Sequence, residues 1–392
     1  FRLVAESFSG TLAGVGLMIM AIGGFVAAMD KLGASHALVS VATRPLRWFR
    51  RFPYLSASLM IPIGQALFVT IPSAAGLGLL LMASVYPLLV RLGISRVAAV
   101  AVIVACTSFG IGPASAMTAR ATEIVGLPLS DYFVLHQLPL VVPTSLVVAT
   151  TFYFVNRGFD RIEDDPVSFG DLVEEPGSDF PMLYAIFPVL PLVLLLAFSG
   201  LFGNVGVKLD TTTAMFVSLV VAIAVDGLRT RDATAMLSTL KVFWGGMADL
   251  FKGVVTLIIA ADVFSQGLLA LGFIDALLAV AQSIGLGGLG IGIVMSVMIF
   301  AASVLMGSGN ASFFAFGPLA PGIASSAGVA ATDLVTPMQL AASMGRSVSP
   351  IAGVVIATSE LAGVNTLDVV RRTAIPLGTG LVFLLLYHSI VG

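Results

Sequence analysis

The sequence predicts an all-α integral membrane protein built as an inverted repeat, with two re-entrant hairpins and two broken transmembrane helices. Three observations lead there. Of the 392 residues, 58% are hydrophobic and 10% charged, with a mean hydropathy of +1.06, whereas a soluble domain carries roughly 25% charged residues. Four long apolar stretches are interrupted by glycine, proline and hydroxyl residues. The order of hairpin and broken helix then occurs twice, with the same residue spacings.

Uninterrupted apolar runs, each long enough for one crossing, lie near 9–30, 132–155, 181–200, 211–227, 251–271 and 373–391. The first is too long for a signal-peptide core and is followed by no cleavage pattern, so it is expected to be a membrane span. The interrupted stretches differ from these. Residues 54–91 hold "TIPSAAGLG" at their centre and predict the first hairpin. Residues 97–126 hold "CTSFGIGPAS" and predict the first broken helix. Residues 287–326 hold "MGSGNASFFAFGPLAP" and predict the second hairpin, and 335–362 hold "GRSVSP" and predict the second broken helix.

The repeat rests on an ordered set of matches. Pro113, Glu123, Gly126 and Asp131 are spaced as Pro350, Glu360, Gly363 and Asp368 are, and "LGASHAL" from Leu32 resembles "LGFIDAL" from Leu271. The halves are predicted as 1–155 and 181–392, joined by an acidic, aperiodic linker at 156–180 expected on the cytoplasmic side. Two extra spans precede the second hairpin unit, so two further spans are expected ahead of Phe1. Basic residues orient the halves. Arg44, Arg47, Arg50 and Arg51 precede the first hairpin, and Arg91 and Arg96 follow it. Arg157, Arg161, Arg229, Arg231, Arg371 and Arg372 fall on the same side after each pair of crossings, while no Lys or Arg lies between Lys252 and Arg346. The first hairpin is therefore expected to open inside and the second outside.

Non-helical backbone at membrane depth needs burial in protein or a wet cavity, because each unsatisfied group in lipid costs several kcal/mol. Paired by an inverted repeat, such breaks point to a transporter's solute site. The candidate binding residues are Ser73, Ser308, Gly309 and Asn310 at the tips, with Thr107, Ser108, Ser115, Arg346, Ser347 and Ser349 in the joints. Gly76, Gly110, Gly112, Pro113, Gly307, Gly345 and Pro350 are expected to be the hinge or unwound positions. Half-helix N-termini suit an anion, and unwound carbonyls suit a cation.

Arg346 stands in an otherwise uncharged tract, where its fork can hold a carboxylate bidentately or pair structurally with Glu360 or a carbonyl. Asp262 lies mid-span, suited to a coupling proton or cation or to an interhelical hydrogen bond. Arg120 is placed to snorkel toward the interface, and Glu123 to pack there. One cysteine, three scattered histidines and no metalloprotease, Walker A or nucleophile-elbow motif leave few groups for catalysis. No enzyme activity, resident cofactor, metal site or nucleic-acid partner is expected. The one ion expected is a coupling Na⁺ or H⁺.

"GSGNASFFAF", followed by "QLAASMGRSVSPIAGVVIA" (Gln339 to Ala357), resembles the anaerobic C4-dicarboxylate carriers of the DcuC type. "SAAGLGLLLMASVYPLLVRLGISR", "GLMIMAIGGFVAAM" and "GGMADLFKGVVTLIIAADVFSQGL" look like further segments of that family, so the likeness spans almost the whole chain. The resemblance implies an ion-transporter-superfamily elevator. Both hairpins and both broken helices would form a mobile transport domain, and the remaining helices a dimeric scaffold in the inner (cytoplasmic) membrane. It implies a C4-dicarboxylate such as succinate, fumarate or malate as substrate, moved with protons, sodium or a counter-substrate. The chain departs from the family pattern at Ser312, at Ala342 to Gly345, at Ala116 and Met117 (where an acidic residue is common) and at Asp262. These departures leave substrate size and coupling ion open.

Overall fold

The computed structural model describes residues 2–45, 51–162, 181–199, 209–283 and 286–391. Arg47, Arg50 and residues 163–180 of the linker lie outside the described residues. All regular structure among the described residues is helical, and seven helical runs are long and apolar enough to cross a membrane.

In the first half, α1 (Arg2–Thr11) continues through a π turn (Leu12–Gly16) into α2 (Leu17–Lys31), and α3 (Ala34–Thr43) follows. Next come α4 (Pro53–Thr70), α5 (Ala74–Ser84), α6 (Tyr86–Arg91), α7 (Arg96–Cys106), α8 (Ala116–Val125), the single turn α9 (Leu129–Asp131) and α10 (Leu138–Ile162). In the second half, α11 (Leu190–Ala197) and α12 (Thr211–Thr230) precede α13 (Ala233–Leu250), which continues through a π turn (Phe251–Val255) into α14 (Thr256–Ala270). The chain proceeds through α15 (Phe273–Ser283), α16 (Gly288–Met306), α17 (Gly309–Phe316), α18 (Ala320–Ala327), α19 (Ala331–Arg346), α20 (Gly353–Ala362) and α21 (Thr366–Val391).

Local structure recurs between the halves. Of the three π-helical segments among the described residues, Leu12–Gly16 and Phe251–Val255 match in length and place (the third is Tyr132–Gln137), and the left-handed glycines Gly33, Gly93 and Gly126 have counterparts in Gly272, Gly328 and Gly363. Packing recurs too. Helix α4 packs on α7 as α16 packs on α19. Helix α5 meets α7 and α20, as α17 meets α19 and α8. Each tip helix therefore touches the second segment of the other half's broken helix.

Small residues bring these elements close. A side chain on Gly64 would strike Cys106, one on Gly309 would lie 2.8 Å from the Ala342 carbonyl oxygen, and one on Gly345 would lie 2.5 Å from that of Phe300. A separate layer forms where α2 crosses α13, with Gly23 and Gly24 against Gly246, and α12 packed on α2.

The structure corrects two expected breaks. Gly345 and Arg346 are the last helical residues of α19, and the second joint runs from 347 to 352. Gly76 is the third residue of α5, and the first tip is Ile71 to Ser73. Gly345 permits close contact with α16, and Gly76 leaves room for its own N-cap, Ser73. Helix α13 has no counterpart among the predicted spans, because Lys241, Asp249 and its hydroxyls dilute the apolar signal.

Candidate functional site

Each tip is built by a serine. Ser73 has extended backbone, and its Oγ accepts the Gly76 amide at 3.1 Å. Ser308 is also extended and accepts the Ala311 amide at 3.2 Å. Each serine is an N-cap that starts a helix while one of the four orphan amides is satisfied. Gly307, with φ of 68°, ends α16 and turns the chain into the second tip.

The first joint, 107–115, is held from outside itself. Its Gly110 amide donates to Ser343 Oγ at 3.0 Å, and its Gly110 carbonyl accepts from Gln339 Nε2 at 2.8 Å. The Gly112 amide donates to Gln137 Oε1 at 3.0 Å. Gln137 Nε2 donates to Thr118 Oγ1 and to Gln339 Oε1, and Tyr132 donates its hydroxyl to Gln339 Oε1 at 3.0 Å. Behind the joint, Gln65 Nε2 donates to the Ala105 carbonyl and Ser108 Oγ, and Ser145 donates to Gln65 Oε1. These groups are buried. They replace the helical partners that "CTSFGIGPAS" lacks, as unwound buried backbone requires.

Arg346 ends α19 beside this joint. Its Nη2 donates to the Thr107 carbonyl, its Nε is buried without a hydrogen-bond partner, and its guanidinium lies over the Phe68 ring at 5.5 Å. Glu360 does not pair with it among the described residues. The expected carbonyl partner is present, and it uses only one end of the fork.

A cavity of about 430 Å³ opens here, within the usual range for small-ligand sites. Its lining carries Phe68, Ser73, Gly110, Ser115, Asn310 and Arg346, from both tips, the first joint and α19. Helices α2 and α13 also line it, with Asp30 and Asp249. Among the described residues Arg346 is the only Lys or Arg on the lining, which also carries the two aspartates. Gln137, Gln339, Ser343 and Gln65 support this site and were absent from the sequence-based candidates. Their one sequence signal is an amide or hydroxyl on an otherwise apolar helix.

The other candidates lie elsewhere. Thr107 and Ser108 turn their hydroxyls back onto the Val104 and Ala105 carbonyls. Ser347 is buried and bonds the Ser343 carbonyl at 3.5 Å, while Ser349 Oγ accepts the Ile351 amide at 3.4 Å. Ser308 and Gly309 shape the second tip but are outside the cavity lining, as are Pro113 and Pro350 in the joints. Gly112, with φ of 88°, makes the sharp turn of the first joint against Val69. Asp262 is also away from the cavity. It pairs with Arg120 and accepts from Thr11 Oγ1 at 3.1 Å, and Arg120 pairs with Glu123 as well. Arg120 is 6% exposed, so it does not snorkel. Two carboxylates hold it inward.

The profile of the C4-dicarboxylate anaerobic carrier family, DcuC, matches residues 1–391. The chain belongs to this family. A probable anaerobic C4-dicarboxylate transporter DcuC of Vibrio cholerae is 36% identical over 370 residues, covering 94% of this chain and 80% of the relative. The anaerobic C4-dicarboxylate transporter DcuC of Escherichia coli K12 is 34% identical over 371 residues, covering 95% and 79%. The crystal structure of the Alcanivorax borkumensis YdaH transporter matches with a TM-score of 0.63 at 14% identity, over 99% of this chain and 87% of that one. That likeness shows a shared fold. This DcuC-family chain is therefore a multi-pass membrane carrier and not an enzyme.

Proposed function

We propose that the protein is a secondary active transporter of C4-dicarboxylates such as succinate, fumarate and malate. The observation that carries this reading is Arg346, a cation on the cavity lining whose Nε has no hydrogen-bond partner. It would hold one carboxylate, while Ser73, Ser115, Asn310 and the amides at the tips receive the other. Two anchors favour a dianion, because a monocarboxylate leaves one polar group unpaired.

The cavity's position supports an elevator mechanism. Its lining combines residues of the tips, the first joint and α19 with residues of α2 and α13, so sliding between these two groups of elements would carry the site across. In this reading the two halves are inverted repeats, the hairpins are re-entrant, and the remaining helices form a homodimeric scaffold in the inner membrane. Two negative charges crossing with the substrate call for compensating protons, sodium ions or exchange, since the membrane potential acts at about 2.3 kcal/mol per charge per 100 mV. Asp262 is the candidate coupling residue.

Asp30 and Asp249 support a second reading, an acidic amino acid whose ammonium they would meet. The test is uptake of labelled succinate into liposomes preloaded with succinate, with mono-, di- and tricarboxylates and aspartate as competitors and with imposed proton or sodium gradients. Trans-stimulated uptake blocked by C4-dicarboxylates supports the main reading. Stronger block by aspartate than by succinate favours the second, and absence of saturable uptake rejects both.

A further inference from the structure

Phe68 is buried at 2% exposure on α4, three residues before the first tip, and its ring lines the cavity. The Arg346 Cζ lies 5.5 Å from the ring centroid, inside the roughly 6 Å reach of a cation–π contact. Val69 beside it bears on Gly112, where a Cβ would come within 2.5 Å of the valine, so the same turn of α4 also sets the first joint. Among the described residues no carboxylate pairs with Arg346. Its placement therefore rests on two groups from the first half, the Thr107 carbonyl and the Phe68 ring.

We propose that Phe68 is a positioning residue for Arg346. The negative face of the ring and the Thr107 carbonyl hold the guanidinium at the cavity lining. Recognition of a substrate carboxylate by the second half then depends on how the first tip is seated. This rests on the reading of Arg346 as the carboxylate anchor. A leucine at position 68 would fill space but supply no electrostatic face.

The experiment keeps shape constant. Phenylalanines bearing one, two and three fluorines are incorporated at position 68, draining the ring's negative face stepwise, and succinate KM and Vmax are measured in liposomes with the full chain. Phe68→Leu and Phe68→Tyr accompany the series. KM is expected to rise progressively across the series and by about 5- to 30-fold in F68L, with Vmax retained and F68Y close to the parent protein. A flat KM series in protein that transports succinate overturns the inference while leaving the dicarboxylate reading intact. Should the unsubstituted protein show no saturable dicarboxylate uptake, the functional reading fails and this inference with it.

Discussion

Gly110 and Ser343 lie 233 positions apart and meet at 3.0 Å, the amide of one donating to the hydroxyl of the other. The contact stitches the unwound segment of one broken helix to the helical segment of the other. It is one of several bonds that make the first joint a fixed shape rather than a loose one.

Removing that hydroxyl leaves a buried amide unsatisfied, which costs roughly 1–3 kcal/mol. Ser343→Ala is therefore expected to lower the melting temperature in detergent. Gln339→Leu removes bonds to Gly110, Thr118 and Tyr132 together and is expected to cost more. Differential scanning of the two variants checks both the sign and the order.

Arg346→Gln removes the charged fork while keeping length and some polarity. Loss of two charge-assisted hydrogen bonds is expected to weaken succinate binding by roughly 100-fold or more. Arg346→Lys keeps the charge but not the fork, and an intermediate value is expected. Scintillation-proximity binding to purified protein measures all three. Unchanged binding in folded R346Q would remove Arg346 from the site.

The Arg120 and Asp262 pair joins α8 to α14 at low exposure. Breaking one side of a buried pair costs about 3–5 kcal/mol, since the other charge is left uncompensated. Arg120→Gln is expected to destabilise more than the double variant R120Q/D262N, and a double-mutant cycle by thermal unfolding reads the coupling. In liposomes, Asp262→Asn separates the possible roles. Loss of gradient-driven accumulation with exchange retained fits a coupling residue, and unchanged accumulation removes that role.

Asp160 gathers Tyr54, Ser95 and Arg372, tying together the starts of α4, α7 and α21 at the end of α10. The Arg372 and Asp160 side chains are 3% and 7% exposed. Asp160→Asn is expected to lose about 3–5 kcal/mol of stability. Succinate KM in the surviving folded protein is expected to stay close to the parent value, because the cluster is remote from the cavity lining. Uptake normalised to folded protein distinguishes the two effects.

Much of this architecture is legible in the sequence because lipid forbids irregular backbone without a reason. Ser-Gly and Gly-Pro clusters inside apolar runs mark helix breaks that the structure has, and Ser73, Ser115, Asn310 and Arg346 line one cavity. Gly345 and Gly76 lie inside helices because glycine also serves close contact, Gly345 with a neighbouring helix and Gly76 with its own cap, and composition does not separate these uses from unwinding. Gln65, Gln137 and Gln339 went unmarked because a single amide in a span carries no spacing. Its value depends on which carbonyl faces it. Phe68 was hidden for the opposite reason, as one aromatic among 26 phenylalanines in an apolar chain.

The attachment of Arg346 to Thr107 and Phe68 has a genetic consequence. Neither half of the chain encodes the whole cavity lining, so on the proposed reading a gene cut within the linker would yield two fragments that are inert apart. Function would return only when both are made together, and substitutions near the first tip would find their suppressors around the end of α19.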